Sequence, residues 1–422
     1  MNRNRYATGI GGKKRRRGSR MPGKDCRGSA LVMVIVLTVI LSGILLFLLY
    51  RMEMETALVH NQRERLQFQR TAMDILQREI NLLRIDETRY DAKGEDEWWQ
   101  PAFTDDSIKK IKVTVTDECG KINLNSLTYL QAVALFKNDI LYEPLLDWRD
   151  PPGESFAKGA ELPYYKSKGE VYPDFDGIFR NINVLERIRN ADKFPKDIKE
   201  YTTVYGYLNP NFIDGATFVS VLADAGVEKH VAERMDMELS IYQVTNRYFR
   251  DLDELEKLPS MNVDILAKLK NLLTFGPVYN INTIDPRALR VLWPGGEDED
   301  QFKAFLKERK KTIFKKQDEV DEFVYKYVPD NIKQEVEQCK TQGGLHLKKV
   351  ADAFLIIIDN GNVSYQNLLG VESNFLTVTM KFEREKGPAL TIRTTLERYM
   401  KITDTHYRVR LHTWQMEDER HA

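Results

Sequence analysis

Cysteine is scarce in this chain, at three of 422 residues, which is too few for a disulfide framework. No Cys-x-x-Cys pair occurs. Histidine is almost as rare: His60, His230, His346, His406, His412 and His421 are the six, and none lies in a His-Glu-x-x-His motif. A Gly-x-Ser-x-Gly elbow and a phosphate-binding loop are absent as well. Paired carboxylates are plentiful, but acid–base chemistry needs a cleft that a sequence does not display. No catalytic motif remains, so the chain is expected not to be an enzyme. Net charge is lacking too, with 63 basic and 63 acidic residues.

That balance hides an asymmetry. Residues 1–28 hold ten Lys or Arg and one acid, Asp25, so the remainder carries 53 basic and 62 acidic residues. An acidic remainder argues against a phosphate-binding surface. The basic run has rivals in nucleic-acid or anionic-lipid binding. It abuts 21 uncharged residues, Ala30–Tyr50, which are long enough to span a hydrocarbon core as a helix. The charge bias then holds the N-terminus in the cytoplasm and sends the rest across the membrane. A secretory signal would have a shorter apolar core followed by a small-residue cleavage site. Cys26 precedes the apolar core, which excludes a lipoprotein signal.

The length allows two or three domains, and 42% hydrophobic residues can build their cores. Beyond the span, "RMEMETALVHNQRERLQFQRTAMDILQREINLL" has no Pro or Gly. Leu66, Met73, Leu76, Ile80 and Leu83 recur at helical spacing, which predicts one continuous helix from about Ala30 to Leu83. An anchor joined to a signalling coiled coil would need a sustained heptad repeat, and the stretch is too short to show one.

A basic leader ending in Gly28, then Ser29 and an apolar helix that turns amphipathic, resembles a type IV pilin-type prepilin. The resemblance implies cleavage by a prepilin peptidase between Gly28 and Ser29, and N-methylation of Ser29. Met33 stands where most such subunits carry Glu. That departure resembles one branch, the general secretion pathway protein K family, minor pseudopilins of type II secretion. A carboxylate buried in lipid without a partner is costly, and a subunit with no neighbour above it has no use for one.

Further segments carry the same resemblance. "DECGKINLN" (117–125) is similar to the family's turn into its helical segment, and "LLDWRDPPGESFAKGAELPYY" to its Asp-Trp-x-Asp…Gly-Ala-Glu…Tyr pattern, at Asp147, Trp148, Asp150, Gly159, Ala160, Glu161 and Tyr165. An Asn-x-Asn theme followed by a helical run repeats at 122, 207 and 278, which suggests one compact helical unit used several times. Such units also resemble DNA-binding helix-hairpin-helix modules, but "LPSMN" lacks their glycine and the local charge is mixed, so nucleic acid is not an expected partner.

Alternation at 111–115, 374–383, 389–400 and 407–418 reads as strands, with "REKG" as a hairpin loop; the segment at 351 reads as a strand or a helix edge. The expected fold class is α+β: a pilin-like long N-terminal helix on a small antiparallel sheet, with a large inserted α-helical domain. The expected organisation has six parts. They are a leader at 1–28, a membrane half-helix at 29–50, an amphipathic half at 51–83, the start of the body at 84–122, the insert at 123–345 and closing strands at 346–422.

Within that organisation Cys119 lies where the insert leaves the sheet and Cys339 near its return. The ends of an insertion lie close together, so the two are candidates for a disulfide, with two inert buried thiols as the alternative. The resemblance implies calcium in the inserted domain, carried here to Asp147, Asp150 and Glu161, with Glu154, Asp174 and Asp176 as further oxygens; a solvated acidic loop is the alternative. Trp98 and Trp99 read as core or a loop clasp more than as a binding surface.

The implied role is structural: the tip complex of a periplasmic pseudopilus, and the start of its assembly. The implied partners are other minor pseudopilins, met through the helix and the globular body, the inner-membrane secretion platform and the peptidase. The implied location is the inner membrane, single-pass, with the globular part in the periplasm. The rival reading is an uncut single-pass periplasmic enzyme or sensor.

Overall fold

The computed structural model describes residues 27–99, 111–150, 155–169, 177–245, 247–294, 298–384, 388–400 and 406–418. The chain divides into two compact units, Met1–Arg70 and Thr71–Ala422. One helix, Arg27–Ile85, contains no proline, and its glycines are Gly28 and Gly43. In the first unit every large apolar side chain from Leu31 to Tyr50 is exposed. A helix apolar on all sides satisfies its own backbone but not its side chains in water, and by length and composition this one is able to cross a bilayer.

In the second unit the same helix buries Ala72, Ile75, Leu76, Glu79 and Leu83, a stripe at helical spacing. The stripe differs from the expected one. Leu76 and Leu83 belong to it, whereas Leu66 and Met73 are exposed and Ile80 is half-buried. The sequence offers two overlapping apolar rows, and the residues packed against the helix select the one through Ala72 and Ile75.

The main sheet has the order β1 (Ile111–Asp117), β9 (Phe375–Phe382), β10 (Leu390–Tyr399), β11 (Arg408–Asp418), all antiparallel. Strand alternation gives it two faces. Leu376, Val378, Met380 and Phe382 of β9, with Leu390, Ile392 and Leu396 of β10, are buried on one of them. Arg398 shares that face and bonds Asp86 and Asp91, just beyond the N-terminal helix. Glu397 points the other way and accepts a hydrogen bond from Tyr207 in the helical insert at 2.8 Å. The sheet is thus a middle layer between residues 86–91 and the insert.

The insert consists of three units, each closed by a parallel bridge between its own start and end. The first pairs β2 (Ile122–Asn123) with β3 (Thr202–Thr203), the second Leu208 with Leu273, and the third β4 (Tyr279–Asn280) with β8 (Leu369–Gly370). Each opens on an Asn-x-Asn turn, in which the first Asn side chain accepts the N–H of the second: Asn123 from Asn125 at 2.9 Å, Asn209 from Asn211 at 3.0 Å, Asn280 from Asn282 at 2.9 Å. The second Asn then clamps the backbone of a buried phenylalanine, giving to its carbonyl and taking from its N–H. Asn125 holds Phe179, Asn211 holds Phe249 and Asn282 holds Phe314, with bonds of 2.6–2.9 Å. Three residues after each phenylalanine a helix begins, at Ile182, Leu252 and Gln317. The repeated Asn theme is therefore a backbone clamp that buries a distant segment without leaving its polar groups unpaired.

The first and third units share one apolar core, and the second has its own, built on Phe218, Leu222, Met235, Phe249 and Leu269. Residues 345–367 depart from the expected boundary. They form a separate antiparallel meander, β5 (Leu345–Val350), β6 (Phe354–Asp359) and β7 (Asn362–Asn367), which contacts the helices Gln317–Lys326 and Asp330–Gln342 and is not hydrogen-bonded into the main sheet. The third unit closes only at β8, so the main sheet resumes at Phe375 rather than at 346. Alternation marks a strand but not the sheet it joins.

Candidate functional site

The expected processing point falls at the start of the long helix. Gly28 and Ser29 lie in its first turn; the Ser29 side chain, like residues 1–26, is outside the described residues. Met33 is exposed within the apolar surface, and nothing lies within 4 Å of the position a Cβ on Gly43 would take. Thr38 donates its hydroxyl to Val34 O at 2.7 Å, so this polar group is satisfied inside the span.

The Asp-Trp-x-Asp motif ends the helix Asp139–Arg149, and each member has a structural task. Trp148 is fully buried and meets Tyr165 edge-on, with ring centroids 4.9 Å apart. Arg149 is buried and donates to Leu127 O at 2.6 Å and to Asp150 at 3.1 Å. Asp147 receives the loop that follows: its carboxylate accepts the Ser155 hydroxyl at 2.6 Å and the Phe156 N–H at 3.3 Å. A Cβ on Gly159 would come within 1.7 Å of Asp147 Oδ2, so only glycine lets the loop lie on the carboxylate. Arg189 ties Gly159 O from the other side at 2.6 Å. Glu161 is the residue before the helix Leu162–Ser167, with no side-chain capping bond.

The described residues do not by themselves assemble the expected calcium shell. Calcium takes six to eight oxygens in one shell. Among the described residues no group of three or more Asp, Glu, His or Cys side chains is placed to hold a metal ion. Asp147 accepts the Ser155 hydroxyl and the Phe156 N–H, and Asp150 is engaged by Arg149. Burial raises the pKa of both Asp147 and Asp150, with hydrogen bonds or Arg149 offsetting part of the rise. Glu154, Asp174 and Asp176 lie outside the described residues.

The expected Cys119–Cys339 bridge is not formed; both thiols are free and buried. The premise that the insertion's ends meet is correct, but the returning end is not at 339. Cys119 Sγ accepts the Asn374 N–H at 3.3 Å, while Cys339 lies on the helix Asp330–Gln342, in the core shared by the first and third units. Burial raises the Cys119 pKa, so this thiol is an unreactive one.

The ends of the insertion are joined by a buried polar junction that sequence inspection did not reveal. Ser373 donates its N–H to Asp91 and its hydroxyl to Asp117, each at 2.6 Å. Asp117 also accepts from the Cys119 N–H at 2.8 Å and the Thr283 hydroxyl at 2.5 Å. Asn280 bonds Ser373 and the Asp91 carbonyl. Arg398 pairs with Asp86 at 2.9 Å and with Asp91, and its guanidinium lies 4.3 Å from the Tyr407 ring centre. Burial pushes the Asp117 pKa up to about 6 against its three donors. A signal existed: Arg398 continues the alternating row Leu390, Ile392, Thr394, Leu396, where an apolar residue is expected. Trp98, expected in a core or clasp, is buried and stacks on Trp99 at 4.5 Å.

The sheet's insert-facing side carries Thr116, Thr377, Thr395 and Thr413 in register across all four strands. They line a polar cleft of about 310 Å³ with Asn181, Lys199 and Thr203 of the first unit.

No family model matches the chain. No curated protein matches it either. Among solved structures it is similar to a chain of the crystal structure of the GspK-GspI-GspJ complex from the enterotoxigenic Escherichia coli type 2 secretion system, at 14% identity, over 86% of this chain and 99% of that one, with a TM-score of 0.33.

Proposed function

We propose that this chain is a minor pseudopilin of a type II secretion system, a non-catalytic component that joins other minor pseudopilins at the pseudopilus tip and starts its assembly. The observation that carries the reading is the helix Arg27–Ile85. Its apolar half, exposed on every side, runs without a break into a half that buries a stripe in the head. A plain anchor needs no such continuity. A helix that leaves lipid to pack among others does, because its own head must leave with it. The insert of three closed units adds bulk on one face of the sheet, which suits a subunit with nothing stacked beyond it.

In this reading the peptidase cuts between Gly28 and Ser29 on the cytoplasmic side, and the new terminus is methylated. The globular part faces the periplasm, and the helix contacts the inner-membrane platform before it joins its siblings. Mass spectrometry of the protein purified from secreting cells tests the reading. A mature N-terminus at methylated Ser29 is expected; residues 1–28 still attached would point instead to a permanent anchor on an enzyme or sensor. Gly28→Ala should block the cut, leaving the uncut chain in the membrane.

A further inference from the structure

Clustered aromatic side chains are normally covered, yet the first helical unit leaves three of them together at its surface. Tyr129, which begins the helix Tyr129–Phe136, is 42% exposed, and Phe156, on the loop after the helix Asp139–Arg149, is 37% exposed. Tyr142, on that second helix, is half-buried. Tyr129 meets Tyr142 edge-on, with ring centroids 5.6 Å apart and an interplanar angle of 88°. It lies nearly parallel to Phe156, at 5.9 Å and 26°. The rings thus form a corner whose walls are close to perpendicular.

Acids surround this corner. Asp139 and Glu143 stand one turn apart on the helix that carries Tyr142, and Asp139 is exposed. The Tyr129 hydroxyl beside it raises the Tyr142 pKa, and the charges of Glu143 and Asp139 raise it further. Asp214, from the second unit, accepts the Tyr129 N–H at 3.0 Å. Lys158 gives its backbone N–H to Glu143 at 2.5 Å. Among the described residues Asp139, Glu143 and Lys158 have no ion pair. Carboxylates elsewhere on the head do: Glu308 pairs with Lys326, Glu335 with Lys348 and Glu337 with Lys340. Ring faces carry negative potential, as carboxylates do, so the corner presents one sign of charge on two kinds of surface.

We propose that this corner is a docking point for an arginine side chain of a partner polypeptide. A guanidinium is planar and weakly hydrated, so it stacks on a ring face while its N–H groups reach a carboxylate at the rim. Tyr129, Tyr142 and Phe156 supply the faces, and Asp139 and Glu143 supply the acceptors. An apolar side chain would leave both carboxylates unanswered, and an acidic one would be repelled by them. Charge therefore selects the occupant. The contact belongs to the insert and holds a partner by the head, apart from any packing of the long helix.

The test uses the purified full chain in detergent and a fluorescein-labelled pentapeptide amide, Gly-Arg-Gly-Arg-Gly, followed by anisotropy. Saturable binding is expected. The citrulline version keeps the shape without the charge and should bind at least about tenfold more weakly. Asp139→Asn with Glu143→Gln should weaken the arginine peptide about tenfold. Tyr129→Leu with Phe156→Leu should weaken it about threefold or more. Asp330→Asn with Glu337→Gln removes the same charge on another helix and should leave binding unchanged. No saturation up to about 1 mM, equal binding of the citrulline peptide, wild-type affinity in either site variant, or an equal loss in the control pair would each overturn the docking point. The arginine–citrulline comparison on wild type stands even if a variant misfolds. Binding is separate from processing at Ser29, so either can fail alone.

Discussion

Gly159 and Asp147 are locked together: a methyl group on the glycine would stand 1.7 Å from Asp147 Oδ2. The loop that carries Gly159 closes over the Asp147 carboxylate, which accepts from Ser155 and Phe156.

The first prediction follows from that contact. Gly159→Ala must displace the loop or the carboxylate and is expected to destabilise the head by about 1–3 kcal/mol. Urea unfolding measures it, and an unchanged midpoint would remove the lock. Chelation with EDTA should leave the wild-type midpoint where it is. A fall under EDTA that is absent in Asp147→Asn would instead restore the calcium site.

The Asn clamps differ in what surrounds them. Asn211→Ala orphans the buried N–H of Phe249 and takes from its carbonyl one of two donors, leaving Gln366, at a loss of roughly 1–3 kcal/mol. Because the second unit has its own core, faster hydrogen exchange should stay within about 208–273. For Asn282→Ala, exchange should rise in the first unit as well, since the two share a core. Identical patterns in both variants would contradict the division.

Arg398 is the cation that answers Asp86 and Asp91 at the base of the long helix. Arg398→Met leaves buried carboxylates unpaired and should destabilise by about 3–5 kcal/mol. Proteolysis or exchange at 86–99 should increase first. A double variant that also carries Asp91→Asn should recover part of the loss; no recovery would mean that the arginine acts through packing alone.

Burial raises the pKa of Asp117 and of Asp321 to about 6, from 3.8. Between those values the folded head holds protons that the unfolded chain has released, so these two groups make stability fall as pH rises from about 4 to 6. Each contributes up to roughly 3 kcal/mol over that window. Asp117→Asn should flatten the pH profile of the unfolding midpoint there, and a profile parallel to wild type would show that Asp117 is ionised in the folded state.

Much of the chain's order was readable in its residues because local rules produce it. An uncharged run from Ala30 to Tyr50 dictates a helix for lipid, and alternation dictated the strands at 111, 375, 390 and 408. The three Asn-x-Asn turns were visible as text, since a side chain bonding two residues ahead is a local event. Their clamps were not, because Phe179, Phe249 and Phe314 lie 54, 38 and 32 residues away.

Tertiary packing decided the rest. It chose the Ala72–Leu83 stripe over its neighbour, sent residues 345–367 to a sheet of their own, and set Cys119 beside Asn374 instead of Cys339. It also turned Asp147 toward hydrogen donors and gathered Asp86, Asp91, Asp117, Ser373 and Arg398 into one buried junction. Hydrophobic periodicity and short-range hydrogen bonds belong to the sequence itself. Which face is covered, and which distant polar group answers a buried charge, depends on desolvation, and desolvation exists only once the segments have met.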